Sequence, residues 1–157
     1  MDFLDDLPQT HKEKDLQQAL VNGLKDFILE LGKDFSFVGQ NYKLEVGSDD
    51  FYIDLLFYHR GLSCLVCFEL KTEKFKPEHL GQLNFYLEAL DQDVKKSHES
   101  PSIGILLCTE KNTEVVKYAL NRSLSPTLIA DYETKLIPKE ILQKKMHELL
   151  DEIEAEE

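Results

Sequence analysis

Two adjacent runs, Phe51–His59 (FYIDLLFYH) and Leu62–Lys71 (LSCLVCFELK), constrain this chain more than any other feature. Both are dense in aromatic, branched and other apolar residues, which suit a pleated, half-buried surface. The second is apolar almost without interruption, and such a strand has to be covered on both faces. Arg60-Gly61 between them predicts a turn, so the two runs form an antiparallel hairpin inside a sheet flanked by helices. Three charged residues break the pattern: Asp54, Glu69 and Lys71. A carboxylate in a strand centre is costly unless it is paired, hydrogen-bonded or metal-bound.

The rest of the chain supplies the cover. Leu16, Ala19, Leu20, Leu24, Phe27, Ile28 and Leu31 keep the helical period and predict a helix over 14–31, stopped by Gly32. A partly alternating strand follows over 35–46, closed by the turn cluster Gly47-Ser48-Asp49-Asp50. Pro77 opens a helix that runs to about Val94, with Leu80, Leu83, Tyr86, Leu87 and Leu90 on its apolar face. Ile103–Cys108 is another buried strand. A helix is predicted over 113–121, with Thr113 as cap, then a short strand over 127–130, and a terminal helix from Lys139. The predicted order is α-β-β-β-α-β-α-β-α: an α/β fold with a mixed sheet between helices. At 157 residues this is one domain, divided here into a loose leader (1–12), the folded domain (13–147) and an acidic tail of the last helix (148–157).

Charge and cysteine usage narrow the function. Net charge is −12, with six acids and no base in residues 148–157, which leaves −6 on residues 1–147. That opposes tight nonspecific nucleic-acid binding without excluding a local basic rim, for which Lys43, Arg60, Lys71, Lys74 and Lys76 are the candidates. No apolar run reaches the ~20 residues of a membrane span. Residues 1–14 lack the basic and apolar regions of a secretory signal, so a cytoplasmic address is expected. Cys64, Cys67 and Cys108 lie in apolar strands and are read as reduced core residues; the first two, three apart, point to opposite faces, which disfavours a zinc site. His11, His59, His79, His98 and His147 form no zinc-hydrolase spacing, and no nucleotide-binding glycine loop exists.

Parity brings the three charged strand residues together. Glu69 and Lys71 are two apart and share a face. In a hairpin closed by an even-numbered loop, paired positions sum to an odd number, as 54 and 69 do. Asp54 then lies opposite or diagonal to Glu69 and Lys71, roughly 5–8 Å away at Cβ. Two such carboxylates repel unless a cation lies between them, and oxygen-only donors favour Mg²⁺. On spacing alone, a plain ion pair of Asp54 with Lys71, with no metal and no chemistry, explains the pattern as well.

The stretch FVGQNYKLEVGSDDFYIDLLFYHRGLSCLVCFELKTEKFKPEHLGQLNFYLEALD, followed by ESPSIGILLC and EVVKYAL, resembles the YhcG-type domain of the PD-(D/E)XK nuclease superfamily. The resemblance covers residues 13–140. It implies a restriction-endonuclease-like core and Mg²⁺- or Mn²⁺-dependent hydrolysis of DNA phosphodiesters. Asp54 would be the first acid and Glu69-Leu70-Lys71 the (D/E)XK element. Asp54, Glu69 and the Leu70 carbonyl would hold the metal, with Lys71 catalytic. Gln82 and Tyr86, four apart on one helix face, resemble the QxxxY element of RecB-like members and would support the site and touch the substrate backbone. The family's first helix usually offers a glutamate near Gln17, so this chain departs from the pattern there. Family members of this type carry a further helical N-terminal domain. The alternative function is a catalytically weak or inactive module that binds DNA or a partner protein in a defence or recombination complex. A homodimer built through the terminal helix is a third arrangement. Glu45 is a lesser candidate for the site.

Overall fold

The computed structural model describes residues 11–110, 113–120 and 125–156. Helix α1 spans His11–Leu31, strand β1 Phe35–Val46, β2 Asp49–His59 and β3 Cys64–Lys71. Helix α2 spans Pro77–Ala89 and runs into a π-helical turn, Leu90–Val94; β4 spans Ile103–Glu110, β5 Thr113–Ala119, α3 Pro126–Lys135 and α4 Lys139–Ala155. Residues 1–10 of the expected leader lie outside the described residues, and α1 begins at His11.

The five strands form one mixed sheet in the order β1-β2-β3-β4-β5. Neighbours pair antiparallel except β3 and β4, which are parallel and joined through α2. That crossover is what a parallel pair requires. The two faces of the sheet carry separate cores. Leu20, Leu24 and Ile28 of α1 and Leu142, Met146 and Leu149 of α4 bury one face with Leu55, Phe57, Val66 and Phe68. Leu83, Tyr86, Leu87 and Leu90 bury the other with Ile53, Leu56, Leu65 and Cys67. Cys64 and Cys67 fall in different cores, on opposite faces. Helix α2 lies close on β4 because Gly104 has no side chain: a Cβ there would stand 2.7 Å from Leu83 Cγ. The β1–β2 hairpin turns on Gly47, whose φ of 65° suits glycine.

Two elements correct the sequence reading. Residues 113–119 form strand β5, not a helix, pairing with β4 from Gly104↔Ala119 to Glu110↔Thr113. Thr113, Val115, Val116 and Tyr118 favour the extended state, and the open edge of β4 supplies the partner. Asn121 lies outside the described residues. Residues 127–130 belong to helix α3, not a strand: Pro126 is in its first turn, and the Ser125 hydroxyl accepts a hydrogen bond from the Leu128 N–H at 3.2 Å. Ser-Pro here is a cap followed by a first-turn proline. The observed order is therefore α-β-β-β-α-β-β-α-α.

Candidate active site

Strand β2 changes faces at Asp54. Phe51 and Ile53 pack under α2, whereas Leu55 and Phe57, of the same parity, pack under α1 and α4. A regular strand would keep all four on one face. On the β1 side, the pairs Gln40↔Leu55 and Tyr42↔Ile53 bracket Asn41, whose backbone is left-handed with φ 50°. Asparagine tolerates that conformation better than most residues. On the β3 side, the ladder runs from His59↔Cys64 to Leu55↔Phe68 across a four-residue loop, 60–63. The even loop gives an odd register sum, and its length of four residues sets Asp54 opposite Glu69.

At that next position the two side chains replace ladder bonds. Glu69 Oε1 accepts from the Asp54 N–H at 2.9 Å, and Asp54 Oδ2 accepts from the Leu70 N–H at 2.8 Å. Each acid satisfies a backbone donor that burial would otherwise orphan. Asp54 Oδ1 and Glu69 Oε2 stay outside these two bonds. Glu69 is only 4% exposed. Burial, and then the Asp54 charge, push its carboxyl up to about 8. Burial also raises Asp54, opposed by the Leu70 N–H and by the Lys71 charge. The two carboxyl groups act on one another: Asp54 raises Glu69, and a side-chain hydrogen bond with Glu69 lowers Asp54.

Lys71 ends β3, half-buried, and its charge acts on both acids. It makes no direct ion pair with either among the described residues. The simple Asp54–Lys71 ion pair is therefore not what accommodates Asp54; the Leu70 N–H is. Tyr86 is 4% exposed, and burial with the neighbouring Glu69, Cys67 and Asp54 holds its phenol well above the usual range. It stays neutral beside them. Gln82 lies one turn earlier on α2 and is exposed. Glu45 stands apart on the β1–β2 hairpin, 3.2 Å from Lys43, which also faces Asp50 at 3.5 Å. Arg60 lies beyond the other end of β3 from Lys71. Of the candidates for a basic rim, Lys71 acts on the two acids, and Lys74 and Lys76 are exposed on the loop that follows it.

Two contacts escaped the sequence reading. Gln17 Nε2 donates to the Leu70 carbonyl at 3.3 Å, so α1 meets the site through an amide. His79, buried in the first turn of α2, accepts from the Lys76 N–H at 3.1 Å through Nδ1, and its Nε2 meets Glu73 Oε1 at 2.7 Å. This ring pins the loop that follows Lys71. A histidine three residues into a Pro-initiated helix was the available signal.

The donor set is hard: two carboxylates with one oxygen each outside the backbone bonds, and a carbonyl with a second lone pair beyond the one Gln17 engages. It suits Mg²⁺ or Mn²⁺ completed by water. Among the described residues no third Asp, Glu, His or Cys joins to make a larger ligand cluster.

The structure thus sets two acids together where a strand kinks, in a mixed sheet between helices, with a lysine two residues beyond the second acid. The model of the YhcG PDDEXK nuclease domain matches residues 1–149, and the chain belongs to that family. With the family goes the restriction-endonuclease-like fold class. The chain is 40% identical over 136 residues to "Putative nuclease YhcG" of Escherichia coli (strain K12), covering 87% of this chain and 36% of that protein. It thus spans about a third of that relative's length. Among solved structures it is similar to a repair endonuclease from Pyrococcus abyssi, at 18% identity over 68% of this chain and 41% of that chain, with a TM-score of 0.44. It is also similar to an XisH family protein from Nostoc punctiforme PCC 73102, at 13% identity over 81% and 84% of the two chains, with a TM-score of 0.40. No helix among the described residues is long and apolar enough to cross a membrane.

Proposed function

We propose that this domain hydrolyses DNA phosphodiester bonds with Mg²⁺ or Mn²⁺ held at Asp54, Glu69 and the Leu70 carbonyl. The observation that carries this reading is the meeting of a buried and a half-buried carboxylate, both with raised pKa values and each bonded to a backbone N–H, beside Lys71. Such a pair is electrostatically expensive without a cation, and perturbed acids of this kind concentrate at functional sites. A bound divalent ion would acidify a water and withdraw charge from the phosphate. Asp54 Oδ1 and Glu69 Oε2 are the oxygens available to hold it. The backbone bonds to their partner oxygens fix the orientation of both carboxylates in advance. Lys71, on the parity face of Glu69, is assigned to orient the attacking water and to offset charge that grows on the phosphate. Tyr86 shields the pair from water on the core side, and Gln82, exposed one turn away, is assigned to the DNA backbone. The same reading places the protein in the cytoplasm, where Cys64, Cys67 and Cys108 stay thiols.

A second reading rests on Gln17. Its amide meets the Leu70 carbonyl where the family pattern offers an acid, which weakens the cation site. The domain would then bind DNA or a partner protein in a defence or recombination complex with little turnover. Plasmid nicking in Mg²⁺ and Mn²⁺, with Asp54→Asn and Lys71→Ala as controls, separates the two. Hydrolysis that both variants abolish supports the nuclease. DNA retention in Ca²⁺ with no cleavage in Mg²⁺ or Mn²⁺ supports the binding module.

A further inference from the structure

Phe85 precedes Tyr86 on α2 and is 38% exposed. A lone exposed phenylalanine needs no explanation, but this one belongs to an ordered group. Its ring centroid lies 5.0 Å from that of Phe51, the planes inclined at 66°. Both rings adjoin Tyr86, at 6.2 Å from Phe85 and 6.3 Å from Phe51. Phe51 is half-buried and braces Phe85 from β2. The three rings therefore lead from solvent to the tyrosine that neighbours Glu69 and Asp54.

Three other phenylalanines outside the buried core lie under cations. Lys145 stands over Phe27, Lys25 over the exposed Phe37, and Lys117 over Phe75. Among the described residues no cation stands over Phe85 or Phe51. Gln82, three residues before Phe85, is exposed on the same side of α2. An aromatic surface with no cation over it thus leads, through Tyr86, to the carboxylate site.

We infer that Phe85, braced by Phe51, is a stacking subsite for an unpaired nucleobase of the strand whose phosphate lies at Asp54 and Glu69. This rests on the DNA-hydrolysis reading and names its substrate class: single-stranded DNA, or a duplex carrying an unpaired segment. A base inside a duplex is already stacked on both sides and cannot give its face to a protein ring without leaving the helix. Charge points the same way. A chain at −12 with few lysines at the site draws little from phosphate contacts. Ring stacking supplies affinity that does not depend on salt, and it accepts any base.

The test is fluorescence anisotropy of the whole chain with labelled DNA, Ca²⁺ replacing Mg²⁺, over a salt series. The probes are an oligothymidylate, an abasic strand of equal length and a duplex. Phe85→Ala should weaken the oligothymidylate complex roughly five- to a hundred-fold. Phe85→Trp should restore it. Phe85→Leu, which keeps the apolar packing but loses the π face, should resemble Ala. The abasic strand should bind wild type and Phe85→Ala alike, and the slope of affinity against salt should not change. The inference is overturned if Phe85→Leu equals wild type, or if the alanine variant loses as much on the abasic strand or the duplex. Failure of wild type to bind any single strand overturns it as well. So does a change in oligomeric mass on Phe85→Ala, which would make this face a protein contact. The two readings fail separately. A Phe85 effect with no cleavage in Mg²⁺ sinks the hydrolysis and keeps the subsite; cleavage without a Phe85 effect does the reverse.

Discussion

Glu69→Gln should stabilise the metal-free protein at alkaline pH and change it little at acid pH. The variant removes one of two facing charges and keeps the geometry, because the glutamine oxygen can still accept the Asp54 N–H that Glu69 Oε1 accepts at 2.9 Å. Glu69 ordinarily ionises at 4.5, and in the fold burial and the Asp54 charge lift it to about 8. The folded state therefore holds a proton that the unfolded state has lost. For an acid raised in this way, stability is fullest below the unfolded value and falls as pH rises towards the folded one. At ~1.4 kcal/mol per pH unit, the whole interval sets a ceiling of ~5 kcal/mol, shared with Asp54 because the pair titrates together. In a domain of this size ~1 kcal/mol moves Tm by roughly 2–4 °C, so the wild type should fall below Glu69→Gln by up to ~10–15 °C near pH 8.5. Thermal melts in EDTA near pH 5 and pH 8.5 measure it, and pH effects elsewhere cancel in the difference between the two proteins. Adding Mg²⁺ should recover most of the alkaline loss in wild type and none in the variant. A Tm difference that is the same at both pH values would refute the reasoning, since the Glu69 charge would then carry no strain.

Asp54→Asn should fold, since an asparagine oxygen can still accept the Leu70 N–H, but should lose the Tm gain from Mg²⁺; calorimetry with and without metal checks both. Lys71→Ala should reduce plasmid cleavage by roughly 10²–10³-fold while DNA affinity in Ca²⁺ changes little, because its assigned role lies in the transition state; cleavage at the wild-type rate removes Lys71 from the mechanism. Gln17→Glu sets a carboxylate against the Leu70 carbonyl that the amide now donates to. It should cost the metal-free protein ~1–3 kcal/mol and tighten Mg²⁺ binding, read by urea denaturation and metal titration. Duplex DNA affinity should be no tighter than about micromolar at physiological salt and should weaken as salt rises, with the shallow slope of a few phosphate contacts.

The paired acids were legible in the sequence because a strand has a period of two. Once Phe51–His59 and Leu62–Lys71 form a hairpin, an even loop leaves Asp54 opposite or diagonal to Glu69, and Lys71 shares the Glu69 face; the four-residue loop makes it opposite. The helix carrying Gln82 and Tyr86 was legible for a similar reason, since Pro77 and a 3.6-residue apolar period define it locally. What depended on neighbours was not legible. Thr113–Ala119 is seven residues long, too short for its own pattern to separate strand from helix, and the free edge of β4 decided the matter. Residues 127–130 looked extended until Ser125 capped a helix begun by Pro126. The face switch at Asp54 needs Asn41 left-handed on one strand and a ladder that ends at Phe68 on the other. The hold of Gln17 on the Leu70 carbonyl joins residues 53 positions apart. Local periodicity determined which residues share a face. Only the tertiary structure, by bringing three strands and two helices to one point, decided which backbone groups those residues bind and how far burial raises their pKa values.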